Sequence, residues 1–433
     1  MEWTVEPARR LRGEVLVPGD KSISHRAVLF ASLARGESVL EGIADGADVA
    51  STIAAMRCLG IDIERRAALR VRGQGLYGLQ APGAPLDCGN SGTTIRLLAG
   101  PLAGQPFTST LTGDVYLRRR PMRRIVEPLR ALGAAVQTAA GDTAPLTVTG
   151  ATPLRAITYR PEVASAQVKS CVLLAGLFAD GRTSVVEQAP TRDHTERLLA
   201  AMGATVEVCG DAAGPTVTIE PGAELADIAG TVPGDMSSAA YWLVAATLLE
   251  GSLLTLRNVG LNPTRAGIVE LLRDWGADIS IERGEDWYGE PVGTLEIAGV
   301  GAALTGGTIE GAAVPGVIDE LPLIAALAPF TSDGVEIRGA AELRVKESDR
   351  IATTAAALRA LGVDVDEFPD GLAVRGGQRL TGGSVDAAGD HRIALAMGAV
   401  GLAAAAPVTV EGAEAMAVSY PGFEAALDRV AVR

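Results

Sequence analysis

Apolar positions along the chain fall into two alternating patterns. The first is a helix-length run that is apolar on nearly every side and opens on a polar cluster. It starts near Lys21 (KSISHRAVLFASLARGESVLEG), Asn90 (NSGTTIRLLAG), Ser165 (SAQVKSCVLLAGLFADGRTSVVE), Asp235 (DMSSAAYWLVAATLLEGSLLTLRN), Asp319 (DELPLIAALAPFTSDGVEIRG) and Asp390 (DHRIALAMGAVGLAAAAPVTVEG). Such a run predicts a buried helix, and its Ser, Asn or Asp predicts an N-cap. The second pattern is a helix end, a glycine, then alternating apolar and polar residues. It recurs with Gly60, Gly133, Gly203, Gly276 and Gly362. A glycine past a helix end supplies the left-handed cap, and the alternation starts a strand. A turn and a second strand follow, as in LRVRG at 69–73, LTVTG at 146–150 and LAVRG at 372–376.

The recurring unit is therefore apolar helix, strand, loop, amphipathic helix, strand, strand, present six times. It is too long for an ordinary solenoid repeat and predicts a βαβαββ subdomain in an α/β protein. Three units per domain place a break between the third and the fourth. The expected domains are residues 14–231, and residues 1–13 with 232–433. Candidate hinges lie at 12–14 and 230–233, and the N-terminal EWTVEP strand is expected to pair in the second domain.

Composition narrows the function. At 48% hydrophobic and 21% charged residues the 433-residue chain is globular. Its net charge of −14 argues against a general nucleic-acid surface, yet leaves room for a local basic cleft. Cys58, Cys88, Cys171 and Cys209 form no CxxC pair or zinc spacing and read as small buried residues of a reducing compartment. No metal or cofactor is expected. The N-terminus lacks an apolar signal region, and the longest apolar run, 393–408, is too short for a membrane span. A cytoplasmic protein is expected.

Of 38 Lys and Arg residues only Lys21, Lys169 and Lys346 are lysines. A chain that uses Arg elsewhere retains Lys where a compact ammonium matters, so all three are expected on or near the ligand face. Stacked repeats that point several helix N-termini at one place make a cradle for phosphate and carboxylate. Cations at those starts include Lys21 and Arg26, Arg120 ahead of Pro121, and Arg392 in GDHR. Lys346 and Arg350, four residues apart, are expected on one helix face. Arg118, Arg119 and Arg123 read as a solvated face. Among carboxylates, Asp319 heads the fifth apolar run and Glu347 follows Lys346. They suit proton transfer, or more simply a helix cap and an ion pair with Arg350. GxGxxG at 73–78 leads into no helix, so a dinucleotide site is not expected. His194 reads as structural.

The motifs GDKSISHR, GNSGTT with Arg96, RRRPM, SAQVKS, TRDHTER, PGDMSSAAYW, DELP, RVKESDR, GDHR and SYPGF cover nearly the whole chain. In that order they resemble the 5-enolpyruvylshikimate-3-phosphate synthases, most closely the bacterial subgroup with Ser-Ala-Gln. The resemblance implies two inside-out α/β domains of three βαβαββ repeats each. It implies a monomeric transferase of the shikimate pathway to aromatic amino acids, and a glyphosate target. The reaction implied is transfer of the enolpyruvyl group of phosphoenolpyruvate to the 5-hydroxyl of shikimate 3-phosphate, with release of phosphate.

By that likeness Ser22, Arg26, Ser165, Ala166, Arg192 and Lys346 hold shikimate 3-phosphate. Lys21, Asn90, Gly92, Arg120, Arg350 and Arg392 surround phosphoenolpyruvate, and Gln167 lies between the substrates. Asp319 deprotonates the 5-hydroxyl; Glu347 and Lys21 manage the vinyl proton and the leaving phosphate. Gly92 is expected to leave room for glyphosate. Many relatives carry a Lys where this chain has Ala417-Val418, and Ala166 replaces a second Ser. UDP-N-acetylglucosamine enolpyruvyl transferase, the nearest rival, normally carries a Cys on the loop that here reads LTGDVYLRRRPM. A non-catalytic phospho-ligand binder would not need Asp319 and Glu347 beside the cations. Because the implied ligands are split between the two halves, two cationic surfaces are expected to be brought together by the anionic substrate.

Overall fold

Five of the six apolar helices in the computed structural model begin at a side-chain cap. Asp20 accepts from the N–H of Ile23, Ser91 from Thr94, Ser165 from Val168, Asp235 from Ser237 and Asp390 from Arg392. They cap helices Lys21–Leu33, Gly92–Ala103, Ala166–Gly176, Met236–Leu248 and His391–Gly401. The fifth repeat differs: its helix, Leu321–Leu327, follows Glu320 with no side-chain cap. Asp319 is thus not a cap, and its carboxylate is spent elsewhere. These helices are buried along most of their length, and every residue of Met236–Leu248 is buried. The five glycines of the second pattern all have φ between +82° and +104°, as left-handed caps require.

The structure describes residues 1–210 and 214–433. They form two units, and each has its own apolar core. The N-proximal unit holds Gly19–Pro233 with Asp286–Glu290; the C-proximal unit holds Met1–Pro18, Gly234–Glu285 and Pro291–Arg433.

The N-proximal unit carries three four-stranded sheets of one topology. Leu86–Asp87 runs parallel to Thr108–Thr112, which pairs antiparallel with Thr143–Thr149, and that strand with Ala135–Ala139. Thr158–Tyr159, Thr183–Val186, Thr216–Ile219 and Val206–Cys209 repeat the order. In the remaining sheet, Arg35–Glu41, Leu69–Gln74 and Asp62–Arg65 take their parallel neighbour from the far end of the unit, Ala229–Thr231. Gly100 allows the second and third helices to pack closely, because a Cβ there would come within 2.5 Å of the Cys171 carbonyl oxygen.

The C-proximal unit uses the same plan with two changes. Leu253–Gly260, Val292–Ala298 and Asp278–Arg283 take Arg10–Leu16 as parallel neighbour. Gly306–Ile309, Gly334–Ile337, Gly371–Val374 and Val365–Phe368 form a regular copy. In the last copy, Gly383–Asp386 pairs with Val408–Glu411, and the antiparallel place beside it is filled by the chain start, Glu2–Val5.

These pairings bear on the hinge positions read from sequence. Gly13 lies inside Arg10–Leu16, opposite Leu254, and Gly230 lies inside Ala229–Thr231, opposite Leu40. Besides the short excursion of Asp286–Glu290, the chain passes from one unit to the other at Pro18–Gly19 and Pro233–Gly234, each within a Val-Pro-Gly-Asp tetrad. Two cysteines also depart from expectation. Cys88 and Cys171 are buried, but Cys58 and Cys209, the last residues of a helix and of an edge strand, are exposed. Among the described residues no single helix is long and apolar enough to cross a membrane.

Candidate active site

In the N-proximal unit the first turns of the three apolar helices are cross-linked by polar side chains. Lys21, the first residue after the Asp20 cap, pairs at 3.1 Å with Asp48 in the first turn of helix Ala47–Cys58. One turn deeper, His25 Nδ1 meets Thr52 Oγ1 at 2.7 Å, and Thr52 meets Thr94 Oγ1 at 2.7 Å. Arg26 is buried: Nε donates to Thr195 at 2.7 Å, Nη2 to Ser170 at 2.8 Å and Nη1 to the Ser22 carbonyl at 2.9 Å. Burial pulls its pKa down to about 10, with the nearby Arg192 charge acting in the same direction. Much of Arg26's donor capacity therefore goes to holding helices together. Ser22, Ser165, Ala166 and Arg192 are half-buried.

Arg120 Nη2 donates to Asn90 Oδ1 at 3.0 Å, which joins two of the expected phosphoenolpyruvate ligands. Arg96, absent from the expected set, donates through Nη1 to Gln167 Oε1 at 2.8 Å, while Gln167 Nε2 donates to Thr93 at 3.0 Å. The Gln167 amide is thus oriented from the neighbouring helix. Gly92 sits under both arginines: a Cβ there would lie 2.7 Å from Arg96 Nη1 and 3.2 Å from Arg120 Nη1. Gly92→Ala is therefore expected to push the guanidinium groups aside and raise the KM for phosphoenolpyruvate. Overpacking costs about 1–3 kcal/mol, a factor of about 5 to 150, and the flexible ends of two arginines place the effect toward the lower figure. Steady-state kinetics with an unchanged KM would show that both side chains can yield freely.

His25 offers a separate test. Complete burial lowers its pKa to about 3, with the charge of Asp48 opposing and those of Lys21 and Arg26 assisting. The folded imidazole is neutral and stays so where the unfolded one takes a proton. Its contribution to stability is full above pH 6.5 and shrinks as pH falls toward 3. At pH 5 the loss is about 2 kcal/mol relative to pH 7. Urea unfolding at the two pH values is expected to show this fall, and His25→Gln is expected to flatten it. Equal slopes in both proteins would remove His25 from the account.

In the C-proximal unit the centre is Asp319. Arg265, Arg350 and Arg392 reach its carboxylate at 3.4, 3.6 and 3.7 Å. All three arginines are buried and are held by other acids. Arg265 donates to Ser237 at 2.5 Å and to Asp235 at 3.2 Å. Arg350 Nε donates to Asp390 at 2.8 Å and Nη2 to Glu347 at 2.5 Å. Arg392 lies 3.6 Å from Glu320, which also accepts from Ser237 Oγ. Burial works against the charge of Arg392, but Tyr241, Asp319, Glu320 and Asp235 outweigh it and raise its pKa well above the ordinary value.

Several expectations change here. Lys346 and Arg350 do not share a helix face. Asp349 caps helix Arg350–Ala360 by accepting from Ala352, so Lys346 is left outside the helix, and it pairs with Glu342 at 2.8 Å. Lys169 lies one turn from Ala166 and Gln167 but is buried behind them; its side chain is 2% exposed and paired with Glu187 and Glu196. The C-proximal half is not a cationic surface, because Asp235, Asp319, Glu320, Glu347 and Asp390 outnumber its three buried arginines. His194 is structural as expected, with Nδ1 2.7 Å from Glu290. Arg96, Arg265, Asp48 and Glu320 lie outside the expected set, Glu320 within the DELP motif. Arg96 stands just after the GNSGTT motif; Arg265 follows a strand in no repeated phrase and carries no local signal.

Two triads of buried, mostly capped helices, each with arginines and carboxylates gathered near its helix starts, define an α/β protein of two repeated units. Its relatives are specific. Residues 5–427 match the family described as EPSP synthase (3-phosphoshikimate 1-carboxyvinyltransferase). A 3-phosphoshikimate 1-carboxyvinyltransferase of Synechococcus sp. is 49% identical over 431 residues, 99% of this chain and 96% of that protein. Another, of Halorhodospira halophila, is 50% identical over 430 residues, 99% and 96%. The solved EPSP synthase of Acinetobacter baumannii superposes with a TM-score of 0.90 at 40% identity, covering 100% of this chain and 98% of that one. The chain belongs to the EPSP synthase family.

Proposed function

We infer that this chain is the 3-phosphoshikimate 1-carboxyvinyltransferase of a shikimate pathway. It joins the 5-hydroxyl oxygen of shikimate 3-phosphate to C2 of phosphoenolpyruvate as C3 gains a proton. Loss of a proton from C3 and of the C2 phosphate then restores the double bond. The observation that carries the residue assignment is the setting of Asp319, a carboxylate faced by three guanidinium groups at 3.4–3.7 Å. Three cations fix the position of this carboxylate, and its oxygens are the acceptors offered to the hydroxyl proton.

Arg350 and Arg392 take the phosphoenolpyruvate carboxylate, and Lys21, Asn90, Gly92 and Arg120 its phosphate end. Glu347 now occupies part of the Arg350 fork. A substrate carboxylate that takes over this fork frees Glu347 to exchange a proton with C3, and Lys21 neutralises the departing phosphate. Ser22, Arg26, Ser165, Ala166, Arg192 and Lys346 hold shikimate 3-phosphate, with Gln167 contacting both substrates. The enzyme works as a cytoplasmic monomer in this reading. Phosphate release is measured with both substrates and with each omitted in turn. Release only with both supports the reading; binding of shikimate 3-phosphate without release would mark a phospho-ligand binder instead.

A further inference from the structure

Lys169 is one of three lysines in the chain, and no step above uses it. It stands in helix Ala166–Gly176, whose first turn carries Ala166 and Gln167. Its side chain is 2% exposed. An ammonium has three N–H donors, and three acceptors surround this one. Glu187 lies at 2.9 Å, Glu196 at 2.6 Å and the Thr191 carbonyl oxygen at 3.4 Å. The acceptors come from the start, the end and the middle of the 187–196 loop. Glu187 directly follows strand Thr183–Val186, and Glu196 lies in helix His194–Ala201. Glu187 also accepts from Thr191 Oγ1. Thr195 is held by Arg26 and by Ser170, the residue next to Lys169. The loop carries Arg192 directly after the clamped Thr191 carbonyl.

We propose that Lys169 is a positioning residue for shikimate 3-phosphate: its buried ammonium ties the 187–196 loop to the helix bearing Ala166 and Gln167, and so sets the place of Arg192. The proposal rests on the reading of Arg192 as a ligand of that substrate. It accounts for a lysine at this site in an arginine-rich chain. A planar guanidinium does not fit three acceptors gathered round one buried point. It also accounts for two buried carboxylates in a unit that binds anions. The donors and acceptors of Lys169, Glu187, Glu196 and the Thr191 carbonyl are turned toward one another, so the cluster holds the loop from behind.

The test is Lys169→Met in the full chain, with Glu187→Gln as a milder, nearly isosteric second variant should the first fail to fold. KM for each substrate, kcat, and hydrogen exchange of amides 188–193 are measured beside wild type. The expected result is a KM for shikimate 3-phosphate raised about ten- to hundredfold, since displacement of a binding group by about 1 Å has effects of that size. The KM for phosphoenolpyruvate stays within about twofold and the loop amides exchange faster. A folded variant with lowered stability but unchanged KM for shikimate 3-phosphate, or with both KM values raised alike, overturns the proposal. Wild type separates the two levels. If wild type releases no phosphate, the reaction reading falls. If wild type is active and the variants keep its KM, only the clamp falls.

Discussion

Asp319→Asn is expected to lower kcat by about 10²–10⁴-fold while leaving the affinity for both substrates intact or improved. Asn keeps the size and one oxygen of the side chain, so the change removes a charge and a proton acceptor rather than a shape. The arginines around it do not lose their other partners. Arg265 retains Asp235 and Ser237, Arg350 retains Asp390 and Glu347, and Arg392 retains Glu320. The fold is therefore expected to survive. With one negative charge gone from among three guanidinium groups, an anionic substrate meets less repulsion. A fall in kcat without a rise in KM is the pattern of a group that acts in the chemical step. Steady-state kinetics with each substrate varied decide it. A kcat within tenfold of wild type, or a rise in KM alone, would mean that Asp319 only organises the arginines.

Arg350→Met is expected to lower the stability of the C-proximal unit by roughly 3–5 kcal/mol, as removal of one partner from a buried ion pair does. The reason lies in what stays behind. Asp390 is 0% exposed and accepts both Nε and Nη2 of Arg350. Asp390 also caps helix His391–Gly401 through the N–H of Arg392 and accepts from Ser348 Oγ at 3.1 Å. Neither of those donors carries a compensating charge on the atom that binds. The variant leaves the Asp390 carboxylate buried without its guanidinium partner, and it releases Glu347, whose side chain is already 29% exposed, toward solvent. Urea unfolding compared with wild type measures the loss. A change below about 1 kcal/mol would show that Arg392 or solvent reaches Asp390 at little cost.

The repeat plan, the positions of five helix caps and the glycines that end the amphipathic helices are local matters. A cap accepts an N–H two or three residues further along, and a left-handed glycine follows its own helix directly. Residue type and short spacing are enough to read them. The same local signal misled at Asp319, an acid before an apolar run that caps nothing. It misled again at Lys346 and Arg350, where the true cap, Asp349, intervenes and starts the helix four residues later than the face argument assumed. Lys21, Arg350 and Arg392 were legible as cations because each stands in the first turn of a helix, whereas Arg265 stands in none. The acids that neutralise much of their charge were not.

The sequence by itself determined six buried-helix units in two groups, the polar starts of those helices, and a motif set that points to one family. Tertiary structure alone decided which strands complete which sheet: Arg10–Leu16 lies beside Leu253–Gly260, and Ala229–Thr231 beside Arg35–Glu41. Backbone pairing uses the same N–H and C=O groups in every strand, so a strand's partner is set by where the helices pack and leaves no mark in its own residues. Tertiary structure alone also placed Arg265 against Asp319, Arg96 against Gln167, and Lys169 inside its cluster. Each of those pairs joins different helices or loops. A buried charge must find an opposite charge wherever the packed elements bring one, and sequence spacing does not record that distance.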